Sequence, residues 1–367
     1  MGITMKTILS TFIVCLSILV LFQQSSAQDS KKSGVNEASH WWNEEQFERP
    51  PRFPDARKLP LISVKGNKFV NSRGDTVLFR GLAISDPDKL ESQGHWNKKH
   101  FENVKKTGAA IVRIPVHPAA WRERTPKNYL ALLDQAVGWC TELGMYIMID
   151  WHTIGNLKSE LFQNPMYNTT LKETFEFWRA VAARYSGVTT IPFYEIFNEP
   201  TSIRNRLGRI TWDEWKKINE DIIALIRSYN KECIPLVAPF DWAYDLTPLH
   251  IGPIEAEGIG YVTHPYANKR SKPWEPKWDE DFGFAAGLYP VFATEFGFSA
   301  GHAAKQGYGD YGERIIDYLE EKGISWAVWV YDPEWGPSLI SSWDSYALTE
   351  SGEFFKKAMQ DTTRNHH

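Results

Sequence analysis

Six short aliphatic runs in this chain each finish on side chains that can move protons or make directed hydrogen bonds. One reads Ile111-Val112-Arg113-Ile114-Pro115-Val116-His117, and another Ile149-Asp150-Trp151-His152. A third passes through Glu195 to Asn198-Glu199-Pro200. A fourth ends Val262-Thr263-His264-Pro265-Tyr266, and a fifth ends Ala293-Thr294-Glu295-Phe296-Gly297. The last carries Trp326, Trp329, Tyr331 and Asp332. Carboxylates, imidazoles, a guanidinium and a phenol are the parts of general acid–base and nucleophilic chemistry. Such a set becomes a site only if the ends of these runs meet in space.

The elements that carry them predict that they do. Strand candidates rich in β-branched and aliphatic residues fall at 77–82, 109–116, 145–150, 191–197, 234–238, 259–264, 291–295 and 325–331. Helical patterns lie between them, most clearly at 128–143, 171–185, 211–229 and 311–322, the last stopped by Gly323. Apolar strands alternating with amphipathic helices imply a parallel sheet covered by helices. Eight such units close into a (β/α)8 barrel, whose chemistry sits at the C-terminal ends of the strands. An open doubly wound sheet would carry a glycine-rich phosphate turn after its first strand, and residues 81–86 lack that spacing. No P-loop, HExxH or zinc-type cysteine spacing occurs. The expected fold is an α/β (β/α)8 TIM barrel, a single catalytic domain with a short N-terminal β-hairpin built from 61–70, a turn at 71–75 and 76–79.

The N-terminus has the pattern of a secretory signal peptide. Lys6 precedes an apolar run at 8–22, and the small residues Ser25, Ser26 and Ala27 suit cleavage after Ala27. The expected organisation is a signal peptide at 1–27, a polar, proline-rich leader at 28–60, and the catalytic domain at 61–367. The mature chain should be exported, soluble and monomeric. Only Cys140 and Cys233 remain after cleavage. Their positions in distant units argue against a disulfide. A net charge of −4 supplies no positive field for nucleic acid or an anionic membrane. Tryptophan is the compositional outlier: its 16 copies are about three times a typical share. Trp121, Trp242, Trp274, Trp278 and Trp335 fall in loops after strands, where rings could stack on the flat apolar faces of a ligand.

The ordered strand ends resemble those of glycoside hydrolase family 5 and its wider clan of barrel glycosidases. The resemblance rests on Asn198-Glu199-Pro200 after the fourth strand and Glu295-Phe296-Gly297 after the seventh, and it extends from about Leu61 to the C-terminus. It implies that Glu295 is a nucleophile, Glu199 an acid/base, and that Asn198 bonds the sugar 2-hydroxyl. Arg113, His152, His264, Tyr266 and Trp329 fall where the family places its supporting residues, with Trp329 as sugar platform. His117 and Trp335 join the substrate-binding candidates. Physical chemistry supports the division of labour. A nucleophile must be ionised, and Arg113 and the Tyr266 hydroxyl are candidates to hold Glu295 so; the acid must keep its proton. Glu195 shares a face with Glu199 but would lie about 13 Å from it along an extended strand, which marks Glu195 as structural. Asp150 is expected behind the site.

The family includes several β-glycanases. The expected activity is retaining, endo-acting hydrolysis of β-1,4-glucan, with mannan, xyloglucan and mixed-linkage glucan as alternatives. No cofactor or metal is expected, and the partner is a polysaccharide or oligosaccharide. Two other classes compete. A metal-dependent, proton-abstracting barrel would need several acidic ligands on neighbouring strands, where this chain has His and Asn. A non-catalytic carbohydrate-binding barrel usually lacks one catalytic carboxylate, and both are present.

Overall fold

The structure, a computed structural model, describes residues 53–363. The expected signal peptide and the leader up to residue 52 lie outside the described residues. Strands are numbered here in chain order. β1 (Ser63–Lys65) and β2 (Lys68–Val70) form an antiparallel hairpin ahead of the barrel. The barrel itself consists of β3 (Arg80–Ala83), β4 (Ile111–Val116), β5 (Tyr146–Trp151), β8 (Phe193–Glu195), β10 (Ile234–Val237), β11 (Gly260–Thr263), β12 (Val291–Ala293) and β13 (Ser325–Val328). Each pairs in parallel with the next, and β13 pairs with β3 to close the ring. All eight expected strands are present, most of them shorter than their apolar runs.

The hairpin differs from its expected form. Its turn lies at Gly66-Asn67, and the 71–75 turn follows it, closed by an Asn71 N–H bond to the Asp75 carbonyl (2.9 Å) and a Val70–Thr76 bridge. The turn residues Asn71, Gly74 and Asp75 masked the tighter turn ahead of them. The hairpin closes the N-terminal end of the barrel. Phe69 enters a cluster with Phe79, Phe193 and Phe292, whose ring centroids lie 4.9–6.5 Å apart. Residues 53–60 also pack here: Thr189 donates to the carbonyls of Ala56 and Leu59, and Tyr146 to that of Pro60. With this end filled by aromatic packing, chemistry is left to the other end.

The helices form as their sequences dictate. Trp212–Tyr229 starts with a capping box, in which Thr211 accepts from Glu214 N–H and Glu214 accepts from Thr211 N–H. Leu171–Arg184 is capped by Thr170, and Tyr311–Lys322 ends at Gly323 in the left-handed conformation. Among the described residues, no helix is long and apolar enough to cross a membrane. Cys140 and Cys233 are both free and buried, as expected.

A third, three-stranded sheet was not foreseen. β6 (Ile154–Asn156) lies between β7 (Leu161–Phe162) and β9 (Glu199–Pro200). Its strands are two or three residues long, too short for any periodic signal. Its effect is local and important: Glu199 N–H donates to Thr153 O (3.1 Å) and Thr201 N–H to Gly155 O (2.9 Å). The chain after β8 is thereby turned across the barrel mouth.

One core residue makes stability sensitive to acid. His100, wholly buried in the helix Lys98–Lys106, packs among the rings of Phe101, Tyr331, Trp343 and Tyr346, and neither ring nitrogen has a hydrogen-bond partner. Burial drives its pKa down to about 3. The unfolded chain binds a proton near pH 6.5 that the folded chain refuses until about pH 3, so stability should fall as pH drops through that window. His100→Phe is expected to flatten the dependence of melting temperature on pH between 6.5 and 3. An unchanged slope would show that other groups set the acid limb.

Candidate active site

The site is built around Arg113, which extends from β4 into the barrel mouth and is fully buried. Its Nε and Nη2 clasp the two oxygens of Glu195 (2.6 and 3.1 Å), and Nη1 donates to Glu295 Oε2 (2.9 Å). Nη2 also reaches Asn198 Oδ1 (2.6 Å) and Asp150 Oδ2 (2.9 Å). Burial works against the guanidinium charge, but the three carboxylates outweigh it and raise the Arg113 pKa. One side chain therefore fixes groups from the ends of β5, β8 and β12.

Glu295 is held from a second side by the Tyr266 hydroxyl, which donates to Oε1 (2.9 Å). Its backbone is held as well: Trp329 N–H donates to Phe296 O (2.8 Å). At Gly297 a Cβ would stand 2.6 Å from the Trp329 carbonyl oxygen, so only glycine lets the two loops approach this closely. Glu199 accepts from, or shares a proton with, His264 Nδ1 (3.0 Å). The far nitrogen of that ring contacts Thr294 Oγ1 (3.0 Å), whose hydroxyl donates to Glu195 (2.8 Å).

One oxygen of Glu199, one of Glu295 and one nitrogen of His264 all lie within 4.8 Å of one another. The two glutamates face a common gap of sugar-atom dimensions. Burial pushes the Glu295 carboxyl above its ordinary range and Glu199 adds to that push, while His264, Arg113 and Tyr266 oppose it. The donors expected to hold Glu295 ionised are in place, but burial outweighs them. Burial disfavours charge on His264, yet Glu195 and Glu199 raise its pKa above the usual histidine value. Glu195 is brought down to about 2 against its own burial by Arg113 and His264.

This triad also has the spacing of a cation site. Its chemistry argues against one: Arg113 already places a buried positive charge on Glu295, and both His264 nitrogens are engaged in hydrogen bonds. A metal ion would have to displace these contacts and sit beside a guanidinium.

The structure brings together the ten residues that the sequence marks as catalytic or substrate-binding candidates. His152 bonds Asp150 through Nδ1 (2.6 Å) and lies parallel to the Trp329 ring at 5.2 Å; burial keeps its pKa well below the usual value. Trp335 is the next ring, 6.0 Å from Trp329 and nearly parallel to it. His117 sits 4.7 Å from His152 and is fixed by Asp86, which accepts from its backbone N–H and contacts its Nδ1 (both 2.8 Å).

Sequence reasoning missed three residues. Thr294 links His264 to Glu195, and its place just before Glu295 was the available signal. Asp86 and Tyr167, which stacks on His117 at 5.8 Å, lie in loops that gave none. Two expectations fail. Glu195 does not stand 13 Å from Glu199. The two carboxylates flank one imidazole, because the chain leaves the strand after Glu195 and Asn198 N–H bonds back to Trp151 O (3.1 Å). Trp121, Trp274 and Trp278 do not rim the mouth. Trp121 packs on Phe177, and Trp274 stacks on Trp278 at 5.7 Å, all three buried.

A closed parallel barrel with two buried glutamates facing each other after its fourth and seventh strands has the architecture of a barrel glycosidase. The chain belongs to the cellulase family, glycosyl hydrolase family 5, whose sequence model matches residues 70–334. A β-glucanase from Saccharophagus degradans, SdGluc5_26A, solved with cellotetraose, is 44% identical. It superposes with a TM-score of 0.80 over 87% of this chain and 98% of that one. Curated relatives are more distant: an endoglucanase of Clostridium saccharobutylicum is 24% identical over 81% of this chain, and endoglucanase E-5 of Thermobifida fusca 25% over 82%. The chain spans 64% and 63% of the lengths of those two proteins.

Tyr266→Phe removes one donor from Glu295 without disturbing packing. Its kcat on a soluble β-glucan is expected to fall roughly 100-fold, the usual cost of losing one preorganised donor, with an unchanged melting temperature. A loss below threefold would remove Tyr266 from the machinery.

Proposed function

We propose that the protein is an exported, endo-acting β-1,4-glucanase that cleaves with retention of anomeric configuration. The observation that carries this reading is the gap between Glu199 and Glu295, whose facing oxygens lie within 4.8 Å. Retaining enzymes hold their carboxyls about 5–5.5 Å apart, and inverting ones about 6.5–9.5 Å apart to admit a water. The glucan substrate is supported by the endoglucanase and β-glucanase relatives, one of them solved with cellotetraose. Export is supported by the signal pattern at 1–27.

In this reading Glu295, anchored by Arg113 and Tyr266, attacks the anomeric carbon. Its position is then fixed at the moment its charge is consumed. Glu199 gives its proton to the departing oxygen. Once Glu295 is glycosylated the pair carries one charge less, and Glu199 takes a proton from water for the second step. Asn198 bonds the 2-hydroxyl in this reading, a contact that strengthens in the transition state, and its hydrogen bond from Arg113 supports that role. Trp329 and Trp335 offer parallel faces for successive sugars.

Glu295→Ala should abolish turnover, and azide should restore it on an activated glycoside with an inverted glycosyl azide as product. A product of retained configuration would contradict the assignment. Glu199→Ala should spare the first step for substrates with very good leaving groups while losing natural glucan. Equal losses on both would remove Glu199 as the acid.

A further inference from the structure

We propose that the cavity beyond Glu199 accepts an acidic group carried by the polysaccharide on the side of the departing sugar. The inference rests on the glucanase reading above. The cavity measures about 930 Å³, and its lining includes Thr201, Arg204, Arg206, Phe240, Asp241 and Trp242. Thr201, which forms part of its wall, follows Glu199-Pro200 directly, so the cavity begins two residues along the chain from the acid candidate.

Two features mark it as a built site. The first is backbone. Ile203, Arg204 and Asn205 have φ of +44°, +54° and +68°, and Asp241, Trp242 and Ala243 have φ of +60°, +54° and +58°. Side chains with a Cβ disfavour this conformation, the β-branched Ile203 most of all. Ile203, Arg204, Asp241 and Trp242 of these line the cavity, and such strain is the kind that collects at ligand clamps. The Trp242 ring is fixed by its N–H bond to Gln163 (3.0 Å) and by Lys269 Nζ, 4.9 Å from its centroid.

The second feature is charge. Asp241 is answered by Lys269, whose Nζ lies 3.9 Å from its carboxylate. Arg204 and Arg206 have no such answer. The other described arginines all have partners, mostly carboxylates or carbonyls, as Arg57, Arg80, Arg122, Arg184, Arg227 and Arg314 illustrate. The exceptions are Arg204, Arg206 and Arg209, exposed side chains of one loop. In a chain with net charge −4, acidic partners are plentiful, so three unmatched guanidinium groups together make a local positive field. Guanidinium forks match carboxylates in two-point contacts, and the Trp242 ring offers a face to the sugar that bears the group.

The test uses Glu295→Gln protein, which binds without turnover, titrated by tryptophan fluorescence at low ionic strength. The probes are carboxymethyl-β-1,4-glucan and neutral hydroxyethyl-β-1,4-glucan. The acidic polymer is expected to bind roughly fivefold tighter, as two exposed charge contacts allow. The advantage should fade as salt is raised and vanish in R204Q/R206Q, with folding checked by thermal melting. Equal affinities, or a preference that survives R204Q/R206Q, would overturn the inference. If the wild-type protein released no reducing ends from the neutral polymer, the glucanase reading would fall instead, while the binding comparison would still decide the role of the arginines.

Discussion

A buried guanidinium organises the open end of this barrel. Taking an arginine out of water costs several kcal/mol unless its donors and its charge are matched. Arg113 is matched by Glu195, Glu295, Asn198 and Asp150, which arrive from the ends of three strands. The dependence runs both ways. Without the cation, three buried carboxylates would face one another; without the carboxylates, the cation could not be buried. Burial and the neighbouring carboxylates push the Asp150 pKa above its ordinary range, against the pull of Arg113. Glu195, clasped at two points, stays charged and serves as the fixed counter-ion.

Each catalytic candidate is therefore positioned by something other than itself. Glu295 is set by Arg113, Tyr266 and the close backbone approach at Gly297. Glu199 is set by a two-residue strand paired to β6 and by His264, which is tied through Thr294 to Glu195. The gap between the two glutamates is thus defined by the barrel rather than by flexible side chains, as preorganised catalysis requires. The aromatic plug of Phe69, Phe79, Phe193 and Phe292 at the opposite end contributes packing stability where no polar group is needed.

Much of this was legible in the sequence because a barrel converts order into position. Runs with strand character ending in Arg113, His152, Glu199, His264 and Glu295 must deliver those residues to one rim if the sheet closes. What stayed hidden depends on short or irregular backbone. The strand pair Ile154–Asn156 and Glu199–Pro200 is too brief for a period, and it redirects the chain so that Glu195 and Glu199 share His264. The tryptophans were misread for a related reason. Position in a loop says nothing of whether a ring faces the cleft or the helices, and Trp121, Trp274 and Trp278 face inward. Asp86 and Tyr167 act through loops whose paths are set only by tertiary packing.

The central claim is that the Glu199–Glu295 gap is too narrow for a water to attack opposite the leaving group. Proton NMR of the first sugars released from a cello-oligosaccharide tests it most directly. The β-anomer should appear first and convert to the equilibrium mixture only by slow mutarotation. Initial accumulation of the α-anomer would contradict it, because inversion requires a wider spacing.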